Sequence, residues 1–454
     1  MIALKKNDCT NNSNDLEGKS INAYSLAGIG VGGIIGAGFF LGSSLAINQA
    51  GPSVILAFLL GGLIMSQVLG AMTSISINRP TQGSFRVYTE QYLGRFMGFL
   101  LGWIIFISGV FSLGSEAIAT GVFLKYWVPN VSVSVFAIVS LAIVIVINTL
   151  GTKYFGYIET IMAVLKIIVL CAFIVLGSIT IMKNGIVIKQ NPFNSFHAFF
   201  PNNLNGFLQS MLIVIFTYSG ISAVAMATSE VKKPCIEIPK ATIIMTVGIV
   251  FLYVVSMIFI VCTVDWNSIN TNMSPFVQSI NNMGYSWAST LINGAILIST
   301  FSVMIGTYYA CVQLVKSLSK TQTINSIKLS SSKIGADMYP LILTGGVSIL
   351  VVLLAFILGT KLFNYLISSS SYFSFFNWVV NLITYITWLR MREKSEIYDS
   401  PLIKGKFAAI LTIVIILILF VLSLGVNDFR IGFYVALGIL LIVSSLYKLI
   451  EKNK

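Results

Sequence analysis

GIGVGGIIGAGFFLG, residues 28–42, is the stretch that decides what kind of chain this is. Gly28, Gly30, Gly32, Gly33, Gly36, Gly38 and Gly42 crowd an apolar run that extends from about residue 21 to residue 48. Each glycine weakens a helix interior by about 1 kcal/mol relative to alanine. Such a run either packs closely through a face of small residues, Gly28–Gly32–Gly36, or does not stay helical throughout. Both hold if the packing comes before Gly36 and the helix breaks at Gly36-Ala37-Gly38.

The rest of the chain supplies the setting. Apolar residues make up 56% of 454 and charged residues 9%, with mean hydropathy +0.90. A soluble domain carries about a quarter charged residues, so lipid is the solvent this composition calls for. The formal charge of +13 is scattered singly between apolar runs, not gathered on one face, which argues against nucleic acid as a partner. Residues 1–20 are polar, and the run after them is too long for a cleaved signal, so the N-terminus is expected to be retained. Cys9, Cys171, Cys235, Cys262 and Cys311 show no CxxC pair and read as small core residues, not as a disulfide framework or zinc site.

Crossing a bilayer takes about 20 largely apolar residues. Twelve runs qualify, at about 21–48, 52–77, 96–124, 132–150, 157–181, 207–230, 241–264, 285–315, 339–359, 362–389, 407–424 and 430–449; they are called segments 1 to 12 below. They are expected to be helices, because lipid offers an unpaired amide no partner and the alternation of a barrel strand is absent. With the N-terminus inside, only Lys125, Lys183, Lys189, Lys361 and Arg430 of the 28 basic residues fall outside, and Lys166 lies within segment 5. That bias places both termini in the cytoplasm. The expected organisation is a tail over 1–20, a ten-helix core over 21–389, and two peripheral helices with a cytoplasmic C-terminus over 390–454.

Segment 6 has a second interruption. It reads IFTYSGISAVAMATSEV, with Thr217, Tyr218, Ser219, Gly220 and Ser222 in mid-run. Serine and threonine bonded back to their own helix would account for it. Segments 1 and 6, however, open two successive sets of five. Five is odd, so the second set starts from the opposite side, and glycine-interrupted segments at matching positions of inverted halves point to a midplane transport site.

Ionisable groups inside apolar runs are costly and default to functional hypotheses. Lys166 lies about nine residues into segment 5, too deep to snorkel easily. As a lone amine it could gain and lose a proton as the site opens to either side; a static pair with a carboxylate or with helix-end carbonyls is the simpler role. Glu116, in segment 3, could accept a hydrogen bond from an ammonium or hold a neighbouring helix. Glu159 and Glu230 sit near cytoplasmic ends and read as gate or loop anchors. His197, the single histidine, stands in an outer loop with no metal or nucleophile constellation around it.

Four blocks resemble the amino acid–polyamine–organocation superfamily, and within it the bacterial amino acid permeases. They are GIGVGGIIGAGFFLGSSLAINQAGP (28–52), PTQGSFRVYTEQYLGRFMGFLLGW (80–103), FGYIETIMAVLKIIVL (155–170) and SEVKKPCIEIPKA (229–241). The resemblance covers about residues 20–390. It implies an all-α membrane fold of the LeuT type, a five-plus-five inverted repeat with helices 1 and 6 broken, plus two peripheral helices. It implies that the amides around Gly36, Ala37 and Gly38 hold the substrate carboxylate, where the positive end of an outer half-helix is exposed. The Ile34 and Ser219 carbonyls would take the ammonium and Phe216 would cover the substrate. Gly220 and Ser222 belong to the same broken stretch. Lys166 matches the family lysine that replaces a sodium ion in proton-coupled members, and it would lie against segments 1 and 8 near Ser302. Ser222 stands where many relatives have glutamate, and Ser302-Val-Met-Ile305-Gly306 and Gln313 depart from the family pattern in segment 8.

The function this implies is proton-coupled uptake of a neutral amino acid across a bacterial cytoplasmic membrane, by a monomer or weak homo-oligomer without a cofactor. An amino acid sensor on the same fold, or an amino acid/polyamine exchanger, is the main alternative. A membrane-embedded enzyme would need paired carboxylates, metal ligands or an activated nucleophile, and none converge. A channel would need a ring of like charges or a filter loop.

Overall fold

The computed structural model describes residues 22–452 apart from 80, 82–84, 150–154, 189–190, 223, 225–227, 229–230, 232 and 320–337. The expected N-terminal tail and Glu230 therefore lie outside the described residues. No multi-residue strand occurs among the described residues. Nine of the described helices are long and apolar enough to cross a membrane. Their outward faces carry large apolar side chains such as Leu63, Ile168, Val247, Leu291 and Phe407. A patch of that extent is lipid-facing surface, not soluble-protein surface.

Within the described residues, the twelve apolar runs fall on helices. Segments 2 to 5 become Val54–Asn78, Arg95–Leu124, Val133–Thr149 and Phe155–Asn184. Segments 7 to 10 become Pro234–Thr263, Ser286–Ser319, Met338–Leu353 with Ala355–Leu358, and Lys361–Met391. Segments 11 and 12 are Gly405–Ser423 and Asn427–Lys452. Segment 1 is discontinuous, and segment 9 is split at Leu354. Segment 1 is Ala23–Ile34, then Ala37–Phe40 and Gly42–Ala50, with Gly36 fully extended between the first two. Segment 6 runs as Asn203–Tyr218 and tightens into a 3-10 turn over Ser219–Ile221.

Segment 1 threads the middle of the molecule, packed on segments 5, 7 and 8. Segment 3 packs on segments 8 and 10 and touches Ala37–Phe40 of segment 1. At its entrance, the amide of Ala23 donates to the Glu237 carboxylate at 2.8 Å, and the Lys240 ammonium lies over the Tyr24 ring at 4.5 Å. These contacts fasten the start of segment 1 to the start of segment 7. The linker to the last two helices runs along segment 2. Arg79 pairs with Glu393 and Glu396, Gln67 donates to the Leu402 carbonyl and the Ser400 amide to Ser74 Oγ. Cys171, Cys262 and Cys311 are free, whereas Cys235 is disulfide-bonded, a departure from the reading of all five as unpaired.

Candidate functional site

A helix that stops at Ile34 leaves its last carbonyls without intrahelical donors, and one that restarts at Ala37 leaves its first amides without acceptors. Buried in a membrane protein, these groups must find partners inside the protein. Four segments supply them. Lys166 of segment 5 donates to the Gly32 carbonyl at 2.6 Å. Tyr253 of segment 7 donates its hydroxyl to the Ile34 carbonyl at 3.2 Å. Ser299 of segment 8 donates to the Ile35 carbonyl at 3.0 Å. The Ala37 amide donates to both carboxylate oxygens of Glu116, in segment 3, at 3.0 Å each.

The glycines of segment 1 make room for these partners. A β-carbon on Gly32 would overlap the Glu159 carboxylate, and one on Gly36 would come within 2.5 Å of Glu116 Oε1 and 2.9 Å of Val303. Gly28 faces Thr160, at 3.8 Å. The Gly28–Gly32–Gly36 face is thus a slot for two acidic side chains as much as a helix-packing surface. Toward segment 6 the approach is backbone on backbone: a β-carbon on Gly220 would strike the Gly33 carbonyl. Gly38 abuts the Phe216 ring, where a β-carbon would stand 2.9 Å from two ring carbons.

The residues singled out from sequence therefore gather at one place, with two changes of partner. Ile34, Gly36, Ala37, Gly38, Phe216 and Gly220 line the crossing of segments 1 and 6. Ser219 starts the turn and bonds back to Phe216 at 2.8 Å, and Ser222 follows it, half-buried. Ser302 does not bond Lys166; its hydroxyl donates to Glu159, 3.2 Å from each oxygen. Glu159 is buried beside segment 1, not an anchor in a loop. Lys166 is likewise not a lone amine: it bonds the carbonyl of Gly32, and the Glu159 carboxylate stands against that same glycine.

Reading the sequence missed Tyr253 and Ser299 as partners of the break. Nothing in VFLYVVS sets Tyr253 apart. Glu159 did leave a signal: it precedes Lys166 by seven residues, two helical turns, which puts both on one face. No group of three or more potential metal ligands occurs among the described residues.

A broken helix, with its free ends held by side chains from four others inside a multi-pass membrane protein, is the architecture of a solute transporter. The amino acid permease family model matches residues 26–454, and the chain belongs to that family. It is thus an amino acid transport protein of the membrane, not an enzyme. Among curated proteins of Bacillus subtilis (strain 168), it is 28% identical to the uncharacterized amino acid permease YvbW, over 91% of this chain and 93% of that one. It is 28% identical to the amino-acid permease AapA, over 92% of each chain. It is 26% identical to a gamma-aminobutyric acid permease, over 88% of this chain and 86% of that one.

Proposed function

We propose that this permease imports a neutral amino acid with a proton, by alternating access around the break in segment 1. The observation that carries the reading is the set of orphan backbone groups between Gly32 and Ala37, matched by one ammonium, two hydroxyls and one carboxylate. In this reading all twelve segments span the bacterial cytoplasmic membrane with both termini in the cytoplasm. Segments 1–10 form the five-plus-five inverted core and the last two are peripheral.

The substrate carboxylate takes the amide of Ala37, with Gly36 and Gly38 leaving the backbone open to it. Glu116 must release that amide first. The substrate ammonium lies against the Ile34 and Ser219 carbonyls, next to Gly220, and Phe216 covers it. Ser222 brings a hydroxyl where a carboxylate would favour a cationic side chain, which supports a neutral substrate. The relative named for gamma-aminobutyric acid accords with a zwitterion of no net charge.

Charge balance supports the proton. Lys166, Glu159 and Glu116 are all buried. Two carboxylates and one amine are electroneutral only with one more proton than full ionisation gives them, and a net buried charge is expensive. Protonated Lys166 clamps the Gly32 carbonyl, as a sodium ion would clamp it in a sodium-coupled carrier. Once Lys166 is deprotonated, segments 1 and 5 can part.

Proteoliposomes with an imposed pH gradient and no sodium test the reading, with the twenty amino acids as competitors. Accumulation of a neutral amino acid is the expected result. A requirement for sodium at fixed pH removes the coupling scheme, and lysine outcompeting every neutral amino acid removes the proposed selectivity.

A further inference from the structure

Tyr253 is fully buried in segment 7 and makes two contacts with segment 1, one on each side of the break. Its hydroxyl donates to the Ile34 carbonyl, the last residue of the inner half-helix, at 3.2 Å. Its ring stacks on Phe39 of the outer half at 3.6 Å between centroids and 10° between planes. Phe58 of segment 2 meets the ring edge-on at 5.7 Å, and Tyr218 of segment 6 lies 5.2 Å away. Tyr218 is fixed in turn by its bond to the Phe58 carbonyl at 2.9 Å. Segments 1, 2, 6 and 7 thus share one aromatic knot. The other partners of the break, Glu116, Lys166 and Ser299, reach it from segments 3, 5 and 8.

That division has a physical consequence. A backbone carbonyl at a helix end is free to tilt unless something fixes it. Lys166, Ser299 and Glu116 each bond a single backbone group of segment 1, whereas Tyr253 contacts both sides of the break. A carbonyl oxygen has two lone pairs, so the tyrosine hydroxyl can hold one while the other faces a ligand.

We propose that Tyr253 is the positioning residue of the amine seat: one hydroxyl bond and one stacked ring hold the Ile34 carbonyl in place relative to the outer half-helix, so that it meets an α-ammonium without reorganising. The proposal rests on the reading of Ile34 as an ammonium acceptor. Its energetic basis is preorganisation, which raises affinity by removing the cost of ordering the acceptor on binding.

The test uses full-length protein in proteoliposomes and, as probe, whichever of the twenty amino acids competes best. Tyr253→Phe keeps the stack and removes the hydroxyl bond. Its half-saturating concentration should rise about tenfold, the scale of one well-placed hydrogen bond, with the maximal rate within about twofold. Phe39→Leu loosens the other arm and should shift half-saturation in the same direction. The desamino acid with the same side chain, which has no ammonium to place, should inhibit wild type and Tyr253→Phe equally.

Unchanged half-saturation in both variants overturns the proposal. So does equal weakening of the desamino acid, since that marks general loosening of the core. Wild-type vesicles that accumulate none of the twenty amino acids instead remove the transport reading on which the proposal stands.

Discussion

Glu116 accepts the amide of Ala37 with both of its carboxylate oxygens at 3.0 Å, so the first free donor after the break in segment 1 is held by the protein's own carboxylate. That amide is where the substrate carboxylate is proposed to bind. Loading the site is then an exchange of one carboxylate for another at a single amide, not the filling of a vacant seat.

The exchange makes Glu116→Gln informative. A hydrogen bond to a charged acceptor is worth about 1 kcal/mol more than one to a neutral acceptor, and about 1 kcal/mol is a fivefold change in affinity. The glutamine variant should yield the amide more easily. Its half-saturating concentration is expected to fall about fivefold, measured by competition for labelled uptake. Weaker binding in the variant would show that Glu116 serves the substrate directly and does not stand in its way.

Gly220→Ala and Gly38→Val probe the crossing of segments 1 and 6. A methyl on Gly220 meets the Gly33 carbonyl, which is backbone and cannot rotate aside. Gly220→Ala is expected to lower the melting temperature and abolish transport together. At Gly38 the obstacle is the Phe216 ring, 2.9 Å from the added carbon, and a ring can turn. Gly38→Val should insert and stay monodisperse while losing substrate binding in a thermal-shift assay. Parental affinity in that variant would move the site elsewhere.

Lys166→Met keeps most of the side-chain length and removes the proton. The Gly32 carbonyl loses its 2.6 Å donor. A stranded buried polar group costs about 1–3 kcal/mol, so a lower melting temperature is expected. Accumulation driven by a pH gradient should disappear in Lys166→Met and in Lys166→Ala. If both variants still concentrate substrate under that gradient, the lysine is a structural clamp and the proton is carried elsewhere.

Topology is open to a direct check. With both termini in the cytoplasm, a cysteine in a C-terminal tag should resist a membrane-impermeant thiol reagent applied to intact cells and react after permeabilisation. Labelling in intact cells would invert the orientation drawn from the basic residues.

Much of the fold was legible because its signals are local. A run of apolar residues long enough for a bilayer favours helix whatever surrounds it, and among the described residues each of the twelve runs falls on one or more helices. Glycine density marked the break correctly: Ile34 ends one helix, Gly36 is extended and Ala37 begins the next. Lys166 and Glu116 stood out for the same reason, since a charge in an apolar run needs no neighbours to be conspicuous.

What the sequence alone determined is therefore the set of helices, the place where segment 1 breaks and the charges that had to be accommodated. Only the tertiary structure decided who satisfies whom. Glu116 is 79 residues from Ala37, Tyr253 is 219 from Ile34, and Ser302 is 143 from Glu159. An orphan amide or carbonyl requires a partner but does not name one, because any donor or acceptor of the right polarity would serve. Which one arrives depends on how the helices cross, and that is set by the packing of whole faces, a property no single stretch of the chain contains.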